Sequence, residues 1–409
     1  MAEISPRPDA MKPVGLASAV ADVSYMNRPV TLRQVATNTA LANNFNATNK
    51  QMMFRTAHVM RAHGGVTALQ VGFANFYVPI SGIEAGVGAT TTFTGSIEYP
   101  SGTFTQLKFS GSSSYICPDN SIALSDLTNV TIPEGAVFWV RMYSTSAAGI
   151  IFTSCTNANL NVQMGESLTY GVSGVVDQTM GGTVPLADAG VTVHRPCCIL
   201  GYSSTAVPYI VGDSRGANPL DTAAFGILET GHAVLFNDLP YLNVSTGGAR
   251  TTSWTTSAAG RAQRVALSAY ATHGVQFLGI NDLNIPTPAA TIQANRQAIA
   301  GYMPALQWWQ VTIDPYTSAS TDSYATIANQ TVGPNEAIRV AINTWVRAGA
   351  TPFAGYFDIA DAIESSRNSG KWKVSSTQGP FTVDGLHANQ AGRYEVMRIQ
   401  PVNTGVFRV

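Results

Sequence analysis

Val207-Pro208-Tyr209-Ile210-Val211-Gly212-Asp213-Ser214-Arg215 is an apolar run that stops at a glycine and delivers a serine two residues later. The unbroken apolar character of Pro208 to Val211 predicts a strand buried on both faces, as in a parallel sheet covered by helices. Ser214 then lies just past the C-terminal end of that strand, where open α/β sheets bind ligands. A Gly-Asp-Ser tripeptide alone is ordinary turn material. Its meaning depends on what else the chain carries.

Three further blocks follow in order. Leu242-Asn243-Val244-Ser245-Thr246-Gly247-Gly248 and Phe277-Leu278-Gly279-Ile280-Asn281-Asp282 each follow an apolar stretch, and Asp384-Gly385-Leu386-His387 lies near the C-terminus. A serine hydroxyl attacks a carbonyl only when a base takes its proton, and a histidine base needs a carboxylate to fix its tautomer and stabilise its charge. Asp384 and His387, three residues apart, supply both groups within one turn. A glycine lets its backbone N–H approach a ligand closely, and an asparagine offers a neutral donor where a carboxylate would repel an oxyanion.

With these four blocks, residues 205–409 resemble the GDSL-type esterase/lipase family, the SGNH hydrolases. The resemblance implies a three-layer α/β fold with a parallel sheet, Ser214 as nucleophile, and Asp384 with His387 as acid and base. It also implies an oxyanion hole made by the Ser214 and Gly248 backbone amides and the Asn281 side chain. Arg215 departs from the family pattern, which commonly has an apolar or small residue there, and this puts the pocket rim in question. Asp213 and Asp282 read as structural hydrogen-bonding residues. No cofactor and no metal are expected.

Between the blocks, strand and helix alternate. Val275 to Gly279, Trp308 to Ile313 and Tyr356 to Ile359 read as strands; Gly260 to His273, Thr291 to Met303 and Pro334 to Arg347 read as helices. That alternation is the pattern of a parallel sheet with helices on both faces. The first half has another texture. Val66 to Val78, Thr90 to Tyr99, Thr103 to Phe109, Ser121 to Ile132 and Ala136 to Tyr143 are rich in Val, Ile, Thr, Phe and Tyr and are separated by Gly, Pro, Ser and Asn, as in a β-sandwich. Phe138, Val140 and Met142 share one face. Residues 55–204 accordingly resemble the jelly-roll carbohydrate-binding modules that accompany such esterases, and residues 1–54 read as an extended N-terminal arm.

Only 11% of the 409 residues are charged, with 23 Lys and Arg against 24 Asp and Glu. An average soluble protein has about 25%, so the surface must be neutral and polar. Neither half carries a basic footprint for nucleic acid or anionic membrane, and no run is long enough to span a bilayer. Met1 to Lys12 contains no apolar signal core. An extracellular or virion-associated setting suits this composition. Cys117, Cys155, Cys197 and Cys198 lack metal-ligand spacing and read as buried thiols.

Outside the blocks, Arg250 and Trp254 are the candidate substrate contacts, because both follow Gly248 closely. Trp308, Trp309, Trp345 and Trp372 read as core, and His58, His63, His194, His232 and His273 as structural. The expected activity is removal of O-acetyl groups from carbohydrate through an acyl-enzyme, on an acetylated glycan or small ester. The alternatives are a lipolytic or short-chain carboxylesterase, and a non-catalytic glycan-binding or phage tail-like structural protein. A homo-oligomer is left open.

Overall fold

The structure is a computed structural model that describes residues 28–153, 160–186, 194–217, 235–236 and 238–399. His232 and Cys155 lie outside the described residues.

Pro208–Val211 forms a strand, and its alternation explains the unbroken apolar run. Tyr209 and Val211 pack into a cluster on one face of the sheet, while Ile210 packs into another cluster on the opposite face. Both faces are covered, so both must be apolar. The sheet runs Leu242–Asn243, Pro208–Val211, His273–Gln276, Gln307–Val311, Gly355–Phe357, with every neighbouring pair parallel. In chain order this is 2-1-3-4-5, which reverses direction beside the first strand. The loops after the first, second and third strands therefore leave from the same end of the sheet, and these are the loops of Ser214, Gly248 and Asn281.

The helix over residues 291 to 303 is observed as Ala289–Tyr302 and that over 334 to 347 as Glu336–Arg347. The single helix expected over 260 to 273 is instead three short pieces, Ala259–Arg261, Ala262–Leu267 and Ser268–Tyr270, followed by a strand from His273. His273 pairs with both Pro208 and Gln307, so sheet pairing on two sides claims it.

Among the described residues, the two larger sheets of the first half are antiparallel. One joins Thr31–Gln34, Cys198–Ser203, Val66–Ala74 and Ile122–Leu124, with Thr128–Ile132 also on Val66–Ala74. The other joins Ser167–Gly171, Gln51–Val59, Val137–Ser146, Thr91–Glu98 and Phe104–Gln106, with Ser114–Cys117 also on Thr91–Glu98. Phe54, Val71, Phe73, Phe93, Phe138, Val140 and Met142 fill one core drawn from both. On the outer face of Val137–Ser146, Arg141 is buried against Glu98, which also takes Arg55 at 2.8 Å.

Contacts cross both boundaries drawn from sequence. Thr31–Gln34, within the extended arm of residues 1–54, is a strand paired along its length with Cys198–Ser203. The division at residue 204 cuts through a single hydrophobic cluster. Leu41, Phe76, Val78, Cys198 and Leu200 from the β half pack with Tyr209, Val211, Leu242, Trp254 and Trp308 from the α/β half. The two halves bury each other's apolar faces. Cys117, Cys197 and Cys198 are buried free thiols.

Candidate active site

The turn Asp384 to His387 is set by backbone hydrogen bonding. Asp384 Oδ1 accepts the N–H groups of Leu386 at 2.9 Å and His387 at 2.8 Å, and Thr382 bridges to Ala388 behind it. The second carboxylate oxygen, Oδ2, stands 2.6 Å from His387 Nδ1. Nδ1 therefore carries the proton, and Nε2 is left as the acceptor facing Ser214 Oγ at 2.9 Å. Serine, imidazole and carboxylate form one hydrogen-bonded chain. Burial alone would raise the Asp384 pKa, but the His387 ring and the His387 and Leu386 N–H groups outweigh it and hold it at about 2. The carboxylate is thus charged throughout the physiological range.

Two carbonyls anchor this turn from outside. Gly385 O receives Thr317 N at 2.9 Å, Thr317 Oγ1 at 3.2 Å and Trp372 Nε1 at 2.9 Å. Leu386 O receives Arg215 Nη2 at 2.9 Å and Nε at 3.2 Å. Arg215 is buried, with Nε 3.6 Å from Asp314 Oδ2. The expectation that it alters the pocket rim is therefore corrected. Its side chain runs inward behind the serine and fastens the loop that carries the histidine. Neither Thr317 nor Trp372 could be linked to the site from sequence, because no local pattern marks a residue that donates to a distant carbonyl.

The serine begins a short helix, Ser214–Ala217, after a tight bend in which Asp213 Oδ1 accepts Arg215 N at 3.0 Å. Asp213 is fully buried and its Oδ2 has no hydrogen-bond partner among the described residues. Burial, with Asp314 nearby, pushes its pKa to about 6 against the opposing pull of Arg215 and His387.

The second-strand loop closes against this bend. Thr246 N donates to Gly212 O at 3.1 Å, and Ser245 packs so tightly that a Cβ on Gly212 would lie 2.7 Å from Ser245 Oγ. Gly248, at φ +77°, occupies the left-handed region that glycine tolerates. Asn281 Nδ2 donates to Ala249 O at 3.0 Å, which joins the third-strand loop to the second. Asp282 takes Thr251 N at 3.0 Å and Thr251 Oγ1 at 2.6 Å. Beneath them, buried Arg296 donates through Nε to Leu278 O at 3.1 Å and through Nη1 to Gln310 Oε1 at 3.1 Å. The structure thus brings Ser214, His387 and Asp384 together and links the loops of Gly248 and Asn281 to them.

Of the two candidate substrate contacts, Arg250 is exposed beside Gly248. Trp254 is not available. It is 0% exposed, with the Arg264 guanidinium 4.1 Å above its ring, and its place in the core shared by the two halves corrects the expectation that it touches substrate. Among the described residues, no helix is long and apolar enough to cross a membrane.

No family model matches the chain, and no curated protein matches its sequence. Among solved structures, the chain is similar to a carbohydrate esterase family 2 enzyme plus carbohydrate-binding domain from Corynascus thermopiles (Myceliophthora fergusii), at 14% identity and TM-score 0.33, over 92% of this chain and 99% of that one. It is also similar to a peptidoglycan O-acetylesterase, at 10% identity and TM-score 0.39, over 90% and 78%. A lipase/acylhydrolase from Enterococcus faecalis aligns at 16% identity and TM-score 0.31, over 49% of this chain and 97% of its own.

Proposed function

We propose that the chain is a serine esterase of the SGNH type that removes O-acetyl groups from carbohydrate. The observation that carries this reading is the continuous chain Ser214 Oγ, His387 Nε2, His387 Nδ1, Asp384 Oδ2, with steps of 2.9 and 2.6 Å. His387 Nε2 takes the Ser214 proton as Oγ bonds to the ester carbonyl carbon. The carbonyl oxygen becomes an oxyanion, which the Ser214 and Gly248 N–H groups and the Asn281 amide stabilise. His387 then gives its proton to the departing sugar oxygen, leaving acetyl-Ser214 and a free sugar hydroxyl. In the second half, His387 takes a proton from water, the hydroxide attacks the acetyl carbon, and the proton returns to Ser214 Oγ as acetate leaves. Asp384 stays ionised and balances the imidazolium charge.

Preference for carbohydrate over lipid follows from the neutral polar composition and from the β half joined to the α/β half, which supports glycan presentation. Acetate release from a panel of acetylated polysaccharides and from p-nitrophenyl acetate tests the reading. The expected result is release by the wild type, and loss of about 10⁴-fold or more in kcat for Ser214→Ala at an unchanged unfolding midpoint. Turnover by a clean Ser214→Ala preparation equal to wild type removes Ser214 as nucleophile. Release from p-nitrophenyl acetate or lipid esters but from no glycan would retain the esterase and reject the carbohydrate substrate.

A further inference from the structure

In the β half, Phe76–Tyr77 and Ala85–Gly86 pair as a hairpin whose loop crosses to the α/β half. A buried ion pair rivets the loop. Glu84 accepts Gln263 N at 2.9 Å, Arg264 N at 2.8 Å and Arg264 Nε at 3.1 Å, and Arg264 Nη2 donates to Gly82 O at 2.9 Å. Both side chains are fully enclosed. The tip is a turn closed by Gly82 N to Pro79 O at 2.7 Å, and a Cβ on Gly82 would lie 2.5 Å from Ser253 Cβ, so the turn lies hard against the helix Thr251–Thr255.

Ile80 stands at that tip. It is 78% exposed, yet it reaches Gly248: a Cβ on Gly248 would collide with Ile80 Cγ1 and sit 3.5 Å from Ile80 O. Gly248 lies in the loop that touches the serine bend through Thr246 and Asn281 through Ala249. A single exposed isoleucine is ordinary. This one is held, by the buried pair that fastens its loop to Arg264 of the other half, over the glycine of the proposed oxyanion hole, with most of its apolar surface open.

We infer that the β half supplies a wall of the substrate site, with Ile80 as a specificity-determining residue that packs on the apolar surface flanking the ester carbonyl. The inference rests on the esterase reading. The shared chemistry is a C–H-rich surface beside the carbonyl, which an acyl chain or the face of a sugar ring presents. It makes the two halves one catalytic unit, because the loop after the second strand is lined by a side chain from the other half.

The experiment is steady-state kinetics of the full chain, wild type, Ile80→Ala and Ile80→Asp, on p-nitrophenyl acetate, p-nitrophenyl butyrate and an acetylated xylo-oligosaccharide, with thermal midpoints measured in parallel. The expected result is a KM raised by about 3–20-fold in Ile80→Asp on at least one ester, with a smaller rise in Ile80→Ala. In both variants kcat changes less than KM, and the thermal midpoint is unmoved because the side chain is mostly in solvent. A change confined to butyrate assigns the wall to the acyl group, and one confined to the oligosaccharide assigns it to the sugar. An active wild type whose KM and kcat are indifferent to both substitutions on all three esters overturns this inference alone. A wild type inactive on every ester, or matched by Ser214→Ala, overturns the esterase reading and this inference with it.

Discussion

At the scale of single residues, the two carboxylates nearest the reacting groups are displaced in opposite directions. Asp213 is buried with one oxygen unpaired, and burial raises its pKa to about 6. Because the folded value lies above the unfolded one of about 4, folding favours the protonated form. Its contribution to stability is then greatest below about pH 4 and is lost as pH rises through 6. Asp213→Asn should therefore gain on the wild type by about 2–3 kcal/mol between pH 4 and pH 7 in urea unfolding. A gap that does not change with pH returns the Asp213 carboxyl to its ordinary range. Asp384 has the reverse sign. Its pKa is held at about 2 by His387 and two backbone N–H groups against burial, so its contribution is present above about pH 4 and fades as pH falls through 2.

At the scale of elements, the site is a set of loop ends that must be pinned relative to one another. Asp282 pins the loop of Gly248 by taking both the N–H and the hydroxyl of Thr251. Asp282→Ala leaves two buried donors without an acceptor, at about 1–3 kcal/mol each, and frees the loop that holds the Gly248 amide. The expected outcome is a lower denaturant midpoint together with a fall in kcat larger than any rise in KM, partly restored in Asp282→Asn, which keeps one acceptor oxygen. Unchanged kcat in a destabilised Asp282→Ala would confine the residue to folding. The helices at 289–302 and 336–347 were legible to within two residues, because each buries a stripe at helical spacing. The stretch before His273 was not, since its last residues are taken by pairing to two strands far away in sequence.

At the scale of the whole molecule, the two halves share one apolar core. A shared apolar cluster and the enclosed Glu84–Arg264 pair join them. Isolated residues 205–409 would expose that apolar face, and such surface drives aggregation. Calorimetry of the full chain should give one cooperative transition, and Glu84→Ala should lower it by about 3–5 kcal/mol by leaving Arg264 charged, buried and unpaired. Two separate transitions, or a soluble and folded 205–409 fragment, would restore the independence of the halves.

The sequence by itself determined the class of each half and the order of the four blocks, because a strand buried on both faces, a helix with one apolar stripe and a glycine before a serine are local signals. The resemblance implied the Asp384–His387 pairing, which a spacing of three residues allows within one turn. Only the tertiary structure decided what Arg215, Trp254, Thr31–Gln34 and Ile80 do. Arg215 reaches a carbonyl 171 residues away, Trp254 fills a core shared with the other half, Thr31–Gln34 pairs with Cys198–Ser203, and Ile80 arrives over Gly248 on a hairpin held by an ion pair 180 residues apart in the chain. Each of these roles is a contact between segments remote in sequence, and local composition carries no record of where a side chain's partner will come from.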